Sequence, residues 1–232
     1  MLTKVNITNE IPSCNIHNAI KEVILKYKLK NTILFTNGKI VLTHNECYLV
    51  NNNIVKKVNY IKRIPVDFCG LLIWKSIDSF DQNNYLTRNL IRKHAMNYLS
   101  GTISNNLIGI GGEFYGYFVH LKYYKKYIGF TNNLNIFYDS KFNFKLYFPK
   151  YKYELYFLND YSKIKGEYNN SDCVVNLSKI PTSVINFLNK SNFNSIVIIS
   201  CSQKNGKQLN KLKYKLKSVC NVGEVFIYLY KN

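Results

Sequence analysis

Asn106-Leu-Ile-Gly-Ile-Gly-Gly-Glu-Phe-Tyr-Gly-Tyr-Phe118 is the stretch that decides the fold. A short apolar run, Leu107 to Ile110, is interrupted by Gly109 and closed by Gly111-Gly112, with Gly116 and an aromatic-rich segment beyond. This is the pattern of a buried strand that turns sharply into a helix with its backbone exposed at the turn. Glycine suits such a turn because it reaches φ > 0 at little cost and leaves no Cβ to block close approach. In an open parallel sheet, the crevice beyond the carboxyl end of such a strand is where ligands bind.

Working outward from the turn, strands and helices alternate. The expected strands are Leu107–Ile110, Tyr127–Phe130, Tyr153–Leu158, Cys173–Leu177, Ser195–Ser200 and Val225–Tyr230, with helices at Glu113–Tyr123, Pro181–Lys190 and Lys204–Lys217. Alternation of this kind predicts an α/β, Rossmann-like, mostly parallel sheet with helices on both faces. Upstream, Leu86, Leu90, Ile91, Met96 and Leu99 fall on a helical period over Tyr85–Leu99, with Asn83 or Asn84 as its cap. Before that the pattern is different. Ile16, Ile20, Val23, Ile24 and Tyr27 mark an amphipathic helix over 15–30. Asn37-Gly38 between two β-rich runs marks a hairpin, and Cys47–Val50 and Ile54–Ile61 extend it into a small antiparallel meander over about 31–76. The expected domains are therefore 1–76, a helix plus an antiparallel β segment, and 77–232, the α/β domain.

Composition bounds the function classes. The apolar runs fall far short of the roughly 18–20 residues that cross a membrane, and the first ten residues carry no secretory pattern, so the expectation is a cytoplasmic protein. The six cysteines are scattered with no Cys-x-x-Cys pair, and His17, His44, His94 and His120 stand alone, so no metal site is expected. The net charge of +19 favours RNA or another polyanion as partner. Only Arg63, Arg88 and Arg92 among the 32 basic residues are arginine, however, and Lys, Asn, Ile and Tyr abound together. The same charge therefore also reads as codon bias in an AT-rich genome, viral or otherwise.

The turn itself lacks the Gly-x-Gly-x-x-Gly spacing of dinucleotide folds and the Gly-Lys-Ser/Thr of a P-loop. Gly109, Gly111 and Gly112 suit S-adenosylmethionine, which needs close backbone approach but no phosphate nest; the alternative is a tight strand–helix junction without a ligand. The second strand ends at Asn132-Asn133, which places Asn132 where a ribose hydroxyl is held, and the third ends at Asn159-Asp160, which places Asp160 near an adenine amino group. The alternative for Asp160 is a solvated loop carboxylate. Cys201 follows the strand Ser195–Ser200 and is a candidate nucleophile toward C6 of a pyrimidine, or else a half-buried structural thiol. The tyrosine- and phenylalanine-rich stretches are either base-stacking surfaces or core.

In element order the chain resembles the class I S-adenosylmethionine-dependent methyltransferases, and more loosely the RNA 5-methyluridine methyltransferases among them. Ser79-Phe-Asp-Gln-Asn-Asn84 is similar to that family's Phe-Gln-Asn segment, Leu107–Gly112 sits at its first glycine motif, and Ile199-Ser-Cys-Ser-Gln203 resembles its Ser-Cys-Asn-Pro. The resemblance implies an RNA methyltransferase with S-adenosylmethionine as cofactor, Cys201 as nucleophile and Gln82 as a substrate contact. The chain departs from the family at Asn176 and Lys179, where the family has an acid and an arginine, and it has no counterpart of the closing motif that supplies the base. These departures leave a second expectation: a catalytically inactive, basic subunit that binds RNA or a protein partner.

Overall fold

The computed structural model describes residues 2–4, 33–35, 40–42, 47–51, 54–58, 63–68, 71–76, 85–99, 104–112, 114–201 and 205–232. The expected helix over 15–30, the Asn37-Gly38 turn, Gln82 and the segment around it lie outside these residues. The chain divides into two compact units: Met1–Asp67 with Lys75–Arg88, and Phe68–Trp74 with Asn89–Asn232.

The first unit holds a five-stranded antiparallel meander in sequential order: β1 (Leu2–Lys4), β2 (Ile33–Phe35), β3 (Ile40–Leu42), β4 (Cys47–Asn51) and β5 (Ile54–Val58). Phe35 pairs with Ile40, and Asn51 pairs with Ile54 across Asn52-Asn53, a connection short enough for a tight hairpin. This is the antiparallel segment expected from the sequence. Beyond it, β6 (Arg63–Phe68) and β7 (Leu71–Ser76) pair with each other.

The second unit is built on a seven-stranded sheet. Its strands are β8 (Asn106–Gly111), β9 (Lys126–Thr131), β10 (Tyr153–Phe157), β11 (Asn169–Asn176), β12 (Asn192–Ser200), β13 (Lys215–Val222) and β14 (Val225–Lys231). They lie in the order β10-β9-β8-β11-β12-β14-β13. The first five in that order are mutually parallel, while β14 runs antiparallel to both of its neighbours. The order reverses between β8 and β11, so the crevice at their carboxyl ends is the topological switch point.

Strands buried on both faces read as near-continuous apolar runs, and β12 and, apart from Gly109, β8 do so. Side chains alternate between two layers. Ile108, Ile110, Ile128, Phe130, Cys173, Val175, Ile196 and Ile198 share one cluster with Val184, Ile185, Phe187 and Leu188 of α3 (Thr182–Lys190). On the other side Tyr127 meets Phe144 of α2 (Leu134–Tyr147), ring centroids 5.3 Å apart, and Phe144 meets Phe118 of the 3-10 helix Phe114–Tyr123 at 4.5 Å. The expected α/β architecture with helices on both faces is therefore what the chain adopts. Helix α1 (Tyr85–Leu99) coincides with its expected span.

Three local expectations are corrected. The segment after the glycine turn is a 3-10 helix, not an α-helix; its run of aromatics and Gly116 has little α-propensity. The helix expected at Lys204–Lys217 shrinks to α4 (Gly206–Leu209), and the chain then enters β13. Side chains from α3 and the strand edge hold 211–214 out of helical form: Asn189 donates to the Lys211 carbonyl and accepts from the Lys213 amide, both at 2.9 Å. The Tyr214 hydroxyl donates to the Ser191 carbonyl (2.7 Å) and accepts from the Phe193 amide (2.9 Å). The third correction is α2, which was not expected. Asn133 caps it by accepting from the Ile136 amide at 3.1 Å. Among the described residues no helix is long and apolar enough to cross a membrane.

Candidate functional site

The two glycines that end β8 answer to different neighbours. Gly111 has φ +100°, and a Cβ there would lie 2.2 Å from the Asn176 carbonyl oxygen of β11. The close approach of β8 to β11 thus requires glycine at 111 whether or not a ligand is present. Gly112 donates its amide to the same carbonyl at 3.1 Å and so closes the ladder. The atoms nearest a Cβ on Gly112 would be those of Asn176 and Ile136, at 3.8 Å, which is ordinary contact. Gly109 is buried inside β8, in register with Gly129 on one side and Val174 on the other, below the strand's end.

At the end of β9, Asn132 is exposed and its amide oxygen accepts from the Tyr161 hydroxyl at 3.1 Å. Tyr161 is buried, and burial raises its hydroxyl pKa, so it stays a donor. Just past β10, Asp160 caps the 3-10 turn Tyr161–Lys163. One carboxylate oxygen accepts from the Ser162 amide and the other from the Ser162 hydroxyl, each at 2.8 Å. The Ser162 amide, then its hydroxyl, hold the Asp160 carboxyl below the ordinary carboxylate range, which fixes a negative charge at this exposed corner.

Asn176 ends β11 beside Gly112, half-exposed, and the next amide, Leu177, bonds the Ile199 carbonyl at 3.3 Å. At the end of β12, Cys201 is exposed while Ser200 is buried. Buried Asn205 ties these two strand ends together: its amide group donates to the Ser178 carbonyl (3.0 Å) and to the Ser200 hydroxyl, and its oxygen accepts from the Ile180 amide (3.3 Å). The other thiol on a central strand, Cys173, is fully buried, and burial pushes its pKa well up, so it is inert as a nucleophile.

Gly111, Gly112, Asn132, Asp160 and Cys201 thus all stand at or beyond carboxyl ends of parallel strands, whereas Gly109 stands within one. The direct links are Gly112 to Asn176 and, through Tyr161, Asn132 to the Asp160 turn. Tyr161 and Asn205 had no sequence signal, because their roles depend on which crossovers meet. Asn176 had one: it ends the fourth parallel strand. Among the described residues no group of three His, Cys, Asp or Glu is placed to hold a metal ion.

No family model matches the sequence, and no curated protein does. By structure the chain is similar to the Pyrococcus abyssi tRNA (uracil-54, C5)-methyltransferase solved with S-adenosyl-L-homocysteine, at TM-score 0.60 and 13% identity over 92% of this chain and 65% of that one. It is similar to the M. jannaschii tRNA m1G37 methyltransferase, at TM-score 0.60 and 14% identity over 94% of this chain and 69% of that one. It is also similar to a ribosomal protein methylase from Lactobacillus delbrueckii subsp. bulgaricus, at TM-score 0.52 and 12% identity over 64% of this chain and 80% of that one. The chain spans less than two thirds of the length of the first of these. At such identities the likeness is one of fold: these solved methyltransferases share the α/β, Rossmann-like, mostly parallel sheet that the sequence led one to expect.

Proposed function

We propose that the chain is an S-adenosylmethionine-dependent methyltransferase that acts on RNA. The observation that carries the cofactor is the turn at Gly111-Gly112. It lies at the switch point of the sheet, its second glycine is half-exposed, and a Cβ there would meet no protein atom closer than 3.8 Å. Packing therefore explains glycine at 111 and leaves glycine at 112 to be explained by a ligand's approach.

The polar groups around the turn fit the cofactor. Asn132, Asp160 and Asn176 offer acceptor oxygens, suited to ribose hydroxyls, an adenine amino group and a cationic centre, and no lysine enters the turn to favour a phosphate. Gly112 would lie against the cofactor, Asn132 would take a ribose hydroxyl with the lone pair that Tyr161 leaves, and Asp160 would hold the adenine edge. When bound, S-adenosylmethionine supplies an activated methyl group. Asn132 is held ready for its part by Tyr161, and Asn205 fixes the loops after β11 and β12 relative to each other.

Two residues border the place where a target base would be presented. Cys201, exposed at the end of β12, fits covalent activation of a pyrimidine. Asn176, an amide beside Gly112, fits holding a nitrogen's hydrogens so that its lone pair faces the methyl group. RNA as the substrate rests on the +19 charge and on structural neighbours that act on tRNA, one of which acts on uracil and the other of which is an m1G methyltransferase.

Calorimetric titration with S-adenosylhomocysteine tests the cofactor reading: one-to-one binding is expected, and no heat from well-folded protein removes it. Transfer of labelled methyl groups to total RNA tests catalysis. Amides at Asn132 and Asn176, where acids are usual, favour a second reading, an inactive RNA-binding subunit. It predicts RNA binding that weakens steeply with salt and no methyl transfer.

A further inference from the structure

Every connection between successive parallel strands except one carries a substantial helix. The connections β8–β9, β9–β10 and β11–β12 hold the ten-residue 3-10 helix, α2 and α3. From β10 to β11 there is only the three-residue turn Tyr161–Lys163 and an extended stretch. The sheet face at this edge is consequently left partly bare. Tyr156 of the edge strand β10 lies flat on Phe130, rings 15° apart and centroids at 5.2 Å, yet remains 42% exposed. Phe130 in turn touches Phe187 of α3, which places Tyr156 on the same face as α3.

Beside it is a groove of about 500 Å³ between the thin crossover and α3, lined by Tyr161, Ile164, Lys165, Glu167, Phe187 and Lys190 among others. The groove is held at both ends. Ser162 is bound to Asp160, and the Tyr168 amide donates to the Ser191 hydroxyl at 3.2 Å, just past the end of α3. Its lining offers two lysines against one glutamate, apolar surface between them, and an exposed aromatic ring nearby. That combination recognises nucleotides: cations for phosphate, flat apolar surface for a base, and little that reads base identity.

We propose that this groove and the bare ring of Tyr156 bind a single-stranded stretch of the RNA, outside the reaction centre. The proposal rests on the reading of RNA as the substrate. The groove begins where the cofactor residues end, since Tyr161 bonds Asn132 and Ser162 bonds Asp160. A strand whose target base sits over Gly112 would have flanking nucleotides to place, and the groove adjoins the Asn132 and Asp160 end of the same site. Lys165 and Lys190 would take phosphates, and a base would stack on Tyr156.

The test is fluorescence anisotropy of the full chain with a fluorescein-labelled oligouridylate over a range of salt. Lys165→Gln with Lys190→Gln should weaken binding about tenfold and lower the log–log salt slope by about 1.4, roughly 0.7 for each phosphate left without its lysine. Tyr156→Leu should weaken binding about fivefold or more with the salt slope unchanged. Competition by uridine monophosphate separates the sources: weak competition assigns the groove to a strand, and full competition at low micromolar concentration assigns it to a free nucleotide and overturns the strand. Unchanged affinity in both variants, with thermal melts matching the parent protein, also overturns it. Calorimetry with S-adenosylhomocysteine on the same variants should be unaltered. If the parent protein binds cofactor and RNA while the groove variants are silent, the groove falls and the methyltransferase reading stands. If cofactor heat is absent and the groove variants still lose RNA, the reverse holds.

Discussion

An alanine at position 111 would have to hold φ +100° and would bring its Cβ to 2.2 Å from the Asn176 carbonyl oxygen. The carbonyl cannot yield, because it is backbone of the adjoining strand, and Leu177 side-chain atoms crowd the same position at 2.7 and 2.9 Å. Gly111→Ala should therefore cost about 3 kcal/mol or more in urea denaturation, the sum of a strained φ and a backbone shift. Gly112→Ala faces only 3.8 Å contacts and should stay within about 1 kcal/mol of the parent. The same substitution should reduce S-adenosylhomocysteine affinity about tenfold or more, about 1.4 kcal/mol. Equal losses of stability, or an unaltered affinity in Gly112→Ala, would contradict the division of labour between them. Both glycines were legible because a short apolar run ending in Gly-Gly marks a strand and its edge. Which of them serves packing was not, since that depends on the β8–β11 register.

At the scale of elements, Tyr214 shows how a segment with helical spacing is diverted. Its hydroxyl satisfies one backbone group at the end of α3 and one at the start of β12 while its ring is buried, and Tyr214→Phe would leave the Phe193 amide without that partner. A loss of about 1.5–3 kcal/mol is expected, the cost of an unsatisfied buried donor, read as a lowered thermal midpoint. No change would mean that water replaces the hydroxyl. Helix α2 shows the opposite difficulty. It buries Asp139, Ser140 and Asn143 with Ile136 and Phe144, and leaves Leu134, Tyr138, Phe142 and Leu146 40–51% exposed. Periodicity looks for an apolar inner face, so an inverted one is not seen. The inner polarity has a cause: the Asn143 side chain accepts from the Trp74 amide at 2.9 Å and donates to its carbonyl at 2.6 Å, as a neighbouring strand would. The parallel strands were legible because burial on both faces leaves a continuous apolar signature. The antiparallel direction of β14 was not, because pairing direction is set by the chain's path.

For the molecule as a whole, tyrosine and lysine respond to alkali in opposite ways. Burial raises Tyr151 and Tyr230 to about 12, against an ordinary value near 10. A group whose folded pKa is raised contributes stability that is complete below the unfolded value and disappears as pH climbs to the folded one. Stability from these residues should accordingly be lost between about pH 10 and 12. Over the same interval lysines discharge, which relieves the self-repulsion of a chain at +19. High salt screens the lysine contribution and leaves the tyrosine one, so alkaline unfolding should be clearest in salt. Absorbance of tyrosinate and circular dichroism, followed together, should show a fraction of the 20 tyrosines titrating only as the fold is lost. Complete titration near pH 10 with native dichroism would contradict it.

The position of β14 between β12 and β13 also bears on synthesis at the ribosome. Residues 215–222 emerge first, yet they join the sheet only through residues 225–231, so translation cannot add strands in the order it makes them. A released chain truncated after Glu224 should leave Lys215–Val222 open to protease, and a chain that continues through Lys231 should close it. The outer strand is hostage to its successor: until residues 225–231 pair, Val222, buried in the finished sheet, has nothing to cover it.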